Sequence, residues 1–185
     1  MSAVLGRAEL LEAFELLDEE LCRRAVRAEV FVVVGGAAMA IAYDVRRSTR
    51  DVDAIFAPTG EVRAAAASVA ERLELELGWL NDGAKAFAPG PDADQSPVYE
   101  GEGLSVAVAS PRYLLAMKLL ASRTDRDVDD IRTLYDLCGF TTPDEGLDLL
   151  ASYYPEHLIL PRVQFLLGEL FPDQRERGDG MDLSR

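Results

Sequence analysis

Val30-Phe31-Val32-Val33-Val34-Gly35-Gly36-Ala37-Ala38-Met39-Ala40-Ile41-Ala42-Tyr43-Asp44-Val45-Arg46-Arg47-Ser48-Thr49-Arg50-Asp51-Val52-Asp53-Ala54-Ile55-Phe56 is the stretch around which the chain is organised. Val30 to Val34 is an apolar, β-branched run, which predicts a strand buried on both faces. Gly35-Gly36 ends it, and small residues follow at helix-forming spacing from Ala37 to Ala42. If Asp51 to Phe56 is a strand, alternation sends Asp51 and Asp53 to one face and Val52 to the core. Carboxylates about 6–7 Å apart along a strand suit a hard divalent cation. The glycines let backbone approach a ligand, and a helix N-terminus behind them favours anions. Together these features suggest a metal–nucleotide site.

Working outward, residues 7 to 28 read as an amphipathic helix, with Leu10, Leu11, Phe14, Leu17 and Leu21 at three- and four-residue steps. Arg23, Arg24 and Arg27 fall at its end, as a solvated basic terminus or as a substrate patch. Glu61 to Leu77 reads as a second helix stopped by Gly78, and Leu104 to Val108 as a short strand. Ala88 to Pro97, with three prolines, reads as a surface loop and a candidate lid. From Ser110-Pro111 the pattern becomes helical only: a helix to about Arg123, one ending at Gly139, one from Thr142-Pro143, and one over 159–171. The expected fold is therefore α/β (α+β), a small mixed sheet flanked by helices. Its expected parts are a core at 1–109, a helical C-terminal part at 110–172 and a mobile tail at 173–185.

Composition narrows the function. With 19 basic against 33 acidic residues, the net charge of −14 excludes a general nucleic-acid coat protein. Any RNA contact must use a local patch, such as Arg46, Arg47, Arg50, Arg112 and Arg123, against the overall field. No apolar run approaches the roughly 18 residues of a membrane span, and the N-terminus shows no export signal, so a cytoplasmic location is expected. Cys22 and Cys138 suggest neither a disulfide framework nor a metal site. The dinucleotide and P-loop glycine fingerprints are absent.

Gly35-Gly36 followed by Arg47-x-Thr49-x-Asp51-x-Asp53 resembles the signature of minimal nucleotidyltransferases, and most of all the AbiEii and MenT toxin group. Two downstream motifs extend the likeness: Leu115-Ala116-Met117-Lys118-Leu119-Leu120-Ala121 and Arg126-Asp127-Val128-Asp129-Asp130. The resemblance implies a nucleotidyltransferase fold in which Asp51 and Asp53 hold Mg²⁺ (or Mn²⁺). It also implies that Gly35, Gly36, Arg47 and Thr49 bind the NTP, that Lys118 meets phosphate and that Asp127 completes the site. The implied reaction transfers NMP from an NTP to an acceptor hydroxyl. In the toxin group the acceptor would be a tRNA 3′ end and the partner a cognate antitoxin protein.

Each downstream residue has a second reading. Lys118 also fits a snorkelling lysine, and Thr124-x-x-Asp127 also fits a helix capping box. Strand 104–108 lacks the third carboxylate that many enzymes of this fold carry. Two alternatives stay open beside the toxin: a protein-nucleotidylating enzyme, which the acidity favours, and a catalytically degenerate NTP- or partner-binding module. His157, with no nucleophile in sequence reach, reads as structural.

Overall fold

The computed structural model describes residues 4–42, 48–121 and 128–172. Among them run α1 (Arg7–Arg23), β1 (Ala28–Val34), α2 (Gly35–Ala42), β2 (Val52–Ala57), α3 (Thr59–Leu73), β3 (Leu80–Asn81), β4 (Ser96–Glu100) and β5 (Leu104–Val108). Helices α4 (Pro111–Ala121), α5 (Val128–Cys138), α6 (Pro143–Tyr153) and α7 (Pro161–Leu170) follow. The chain divides into two compact units, Met1–Ser110 and Pro111–Arg185. The mixed α/β class and the helical C-terminal run agree with the sequence expectation. The expected tail lies outside the described residues.

The first unit is a five-stranded sheet in the order β3-β2-β1-β5-β4. Strand β1 is central, antiparallel to β2 and parallel to β5. Alternation decides which face meets the helices. Ala28, Val30 and Val32 are buried, as are Val52, Ala54 and Phe56 on β2 and Leu104, Val106 and Val108 on β5. They form the core with Phe14, Leu17, Ala65 and Val69 from α1 and α3. On the other face Glu29 and Ala57 are exposed, while Phe31, Asp53, Ile55, Ser105 and Ala107 are half-buried. The expected burial of β1 on both faces is thus corrected over 28–32. Only one face packs on helices, and the run is apolar on both because Phe31 floors a concavity of about 340 Å³ with Ile55 and Ala107.

Other expectations shift at helix ends. Helix α1 stops at Arg23, not at 28, because Ala25 turns left-handed (φ 53°). Ala25 N–H then donates to Cys22 O and Val26 N–H to Leu21 O, the double bond of a Schellman stop. Helix α3 stops at Leu73, with Glu74 at φ 54°, so Gly78 is not its terminator. A left-handed residue with a side chain is uncommon, which is why neither stop was marked in the sequence. Arg23 and Arg24 both pair with the buried Glu20, and Arg27 pairs with Glu100 at 3.1 Å on the surface.

The Pro-rich segment is also tied down. Ser110 donates its N–H (2.6 Å) and its hydroxyl (3.1 Å) to the buried Asp92 carboxylate, and Ser96–Glu100 joins the sheet as an edge strand. Pro97 is tolerated there because an edge strand has one side with no ladder to complete. The expected surface loop is present over 88–95, anchored at Asp92, and only Ser96 and Pro97 belong instead to β4.

In the second unit, α4 packs against both α5 and α6, and α7 packs against α6. Gly139 at φ 70° ends α5 as expected, and Thr142 starts α6 with Glu145 accepting the Thr142 N–H at 2.9 Å. Tyr135 stacks on Phe171 at 3.8 Å, and its hydroxyl lies against Gly146, where a Cβ would collide. Lys118 and Asp130 pair at 2.8 Å across α4 and α5, each only 7% exposed. Two charges so deeply placed stabilise each other, and removing one costs the other part of its compensation. Lys118→Ala or Asp130→Ala is expected to cost about 3–5 kcal/mol in urea unfolding. Single variants within about 1 kcal/mol of wild type would contradict a fold-critical pair.

Candidate active site

The site is assembled where β1 ends and β2 begins. Antiparallel pairing places Val34 opposite Asp53, with an irregularity between Val32 and Val34. The chain therefore leaves β1 through Gly35-Gly36 directly beside the start of β2. A Cβ on Gly36 would lie 3.1 Å from Thr49 Cβ and 3.3 Å from its hydroxyl. That is tighter than ordinary packing, so glycine lets the N-terminus of α2 close on Thr49. Thr49 is held from the other side by a two-bond bridge to Leu5, at 2.7 and 2.9 Å. Leu5 is itself buried, so the segment before α1 acts as a clamp on the turn.

Thr49 Oγ1 is 3.0 Å from Asp51 O and 3.3 Å from the Asp51 carboxylate. A hydroxyl turn of this kind shapes the approach to β2 and orients Asp51. Val52 is fully buried, so Asp53 is directed to the open sheet face, in line with Ile55 and Ala57. Asp51 is exposed and Asp53 half-buried. Burial first, then the charge of Asp51, raise the Asp53 carboxyl above its ordinary 3.8, with hydrogen bonding from Asn81 opposing. No lysine or arginine among the described residues forms an ion pair with either aspartate.

Two neighbouring carboxylates that repel each other, one open to solvent, fit a hard divalent cation that keeps free positions for phosphate oxygens. Among the described residues no cluster of three or more His, Cys, Asp or Glu side chains forms a metal cage. Two carboxylates leave the remaining positions of such a cation to substrate and water.

Gly36, Thr49, Asp51 and Asp53 are thus brought together in the first unit, with Gly35 opening α2 beside them. Lys118 belongs to the second unit, paired with Asp130. Arg47 and Asp127, like Arg46 and Arg123 of the proposed basic set, lie outside the described residues. Arg112 sits 5.5 Å over the Phe140 ring, and Arg50 is exposed. His157 is exposed on a 3-10 turn. Sequence reading missed Asn81, which pairs with Asp53 across the parallel β2–β3 ladder. A two-residue strand has no periodicity to reveal it.

The raised Asp53 pKa has a sign for stability. The unfolded state gives up this proton more readily, so ionisation costs folding stability above the folded pKa and nothing below 3.8. In chelator-containing buffer, Asp53→Asn is expected to raise the unfolding midpoint at pH 7, and the gain should fade as pH drops below 3.8. A lower midpoint at pH 7 would show that the carboxylate is instead stabilised by its surroundings.

Comparison with curated proteins and with solved structures found no match to the chain. A family model does match, over residues 8–140, which span β1, β2, the Gly35-Gly36 turn and both Lys118 and Asp127. The chain belongs to that family, described as "Nucleotidyltransferase of unknown function (DUF6036)".

Proposed function

We propose that the protein is a Mg²⁺-dependent nucleotidyltransferase that moves NMP from an NTP to an acceptor hydroxyl. The observation carrying this is Asp53 on the open sheet face, within electrostatic reach of the exposed Asp51 and beside the closely packed Gly36–Thr49 turn. Asp51 and Asp53 would hold Mg²⁺, or Mn²⁺ in its place. When bound, the cation supplies positive charge to the phosphate oxygens as the displacement develops. The backbone at Gly35-Gly36, opening α2, suits the triphosphate, and Thr49 keeps Asp51 turned toward it. Roles for Arg47 at the triphosphate, Lys118 at phosphate and Asp127 as a carboxylate are what the resemblance alone implies.

The acceptor oxygen attacks the α-phosphorus and loses its proton to solvent or to a nearby carboxylate. The bond between the α-phosphorus and the bridging oxygen breaks, and pyrophosphate leaves with the electron pair. The turn's part is to hold the triphosphate with its leaving group in line, and geometry of this kind carries much of such catalysis.

For the acceptor, the likeness to the AbiEii and MenT group favours a tRNA 3′ end, with the protein acting as an intracellular toxin held by an antitoxin. A second reading, a hydroxyl on a protein, is favoured by the concavity on the same sheet face. Its floor is apolar (Phe31, Ile55, Ala107) and Glu29 and Glu100 stand among its lining residues, an arrangement that discourages a phosphate backbone. No helix among the described residues is long and apolar enough to cross a membrane.

Incubation with α-labelled NTPs, Mg²⁺, total tRNA and cell protein separates these readings. Wild type is expected to label one acceptor class, and Asp51→Ala to reduce the label at least about 100-fold. Label confined to protein replaces the tRNA acceptor with the second reading. Equal label with Asp51→Ala removes the assignment, and NTP·Mg binding with no product leaves a binding module.

A further inference from the structure

We infer that Asn81 is a positioning residue for Asp53, its side-chain amide aiming the carboxylate at the cation. This rests on the metal–nucleotide reading of the Asp51–Asp53 pair. Strand β3 is only Leu80–Asn81, yet it is firmly placed. Trp79, just before it, is fully buried and donates its indole N–H to Ala66 O of α3 at 2.9 Å. Its carbonyl accepts the Val52 N–H, which locks the register. In that register Asn81 stands beside Asp53, and paired residues of a parallel ladder send their side chains to the same face.

The orientation of the amide follows from its second partner. Gly83 N–H donates to Asn81 Oδ1 at 3.0 Å, so the oxygen end is engaged. The NH₂ end, which can only donate, is the one that serves the Asp53 carboxylate. Beyond it Arg63 pairs with Asp82 at 2.6 Å, and the 3-10 turn Gly83–Phe87 packs on β2. Trp79, Asn81 and Gly83 thus form a support that meets β2 along its backbone ladder and meets Asp53 through the Asn81 side chain. Groups that orient metal-binding carboxylates in this way typically set metal affinity by about 10–100-fold.

The test is Mn²⁺ binding to the full chain, followed by the loss of the free-ion electron paramagnetic resonance signal on titration. Asn81→Ala is expected to weaken Mn²⁺ binding about 10–100-fold while leaving the thermal midpoint in chelator near wild type. Arg63→Ala, which breaks the adjacent Arg63–Asp82 pair without touching Asp53, should leave the affinity unchanged. Equal binding by wild type and Asn81→Ala overturns the inference alone. So does an Arg63→Ala loss as large as that of Asn81→Ala, which would assign the effect to β3 packing. No Mn²⁺ binding by wild type overturns the metal reading and the inference with it.

Discussion

The pairing of β1 with β2 is the constraint from which the site follows. One strand must end and the other begin at the same height, because Val34 faces Asp53. The glycine turn proposed to receive the triphosphate and the carboxylate pair proposed to hold the cation are thereby held side by side. Neither half is chemically distinctive alone. Their register makes them one site, and a slip of a single residue would send Asp53 into the helix-packed core.

The surrounding fold serves that register. Val52, Ala54 and Phe56 are buried under the helices, so burying apolar area is what obliges Asp53 to face outward. Leu5 clamps Thr49 on one flank, and Trp79 anchors β3 on the other. The result is a carboxylate pair under mild electrostatic strain. Burial and mutual repulsion both oppose ionisation of Asp53, a stability cost that is common where a site is built for a ligand.

How much of this was legible before the structure depended on how locally each feature is encoded. The β1 run, the alternation around Val52 and the Gly35-Gly36 turn are dictated by neighbouring residues, and they appear where the sequence places them. The Ser96–Glu100 strand was hidden because its proline and polar neighbours suit a loop, and only the free edge of the sheet accommodates them. The ends of α1 and α3 were misplaced because Ala25 and Glu74 take a conformation that sequence normally signals with glycine or asparagine. Asn81 was invisible because a pairing between distant segments creates its role. Asp130, which pairs with the buried Lys118, lies twelve residues beyond it on the next helix, where no spacing rule connects the two.

The central claim is that Asp51 and Asp53 hold a divalent cation against a triphosphate bound at the Gly36–Thr49 turn. The most direct measurement is a crystal structure with Mn²⁺ and a non-hydrolysable NTP, with anomalous scattering recorded near the manganese edge. An anomalous peak is expected within coordination distance of both carboxylates, with phosphate oxygens reaching the start of α2. A peak away from both aspartates, or nucleotide bound elsewhere with no peak between them, would contradict the claim.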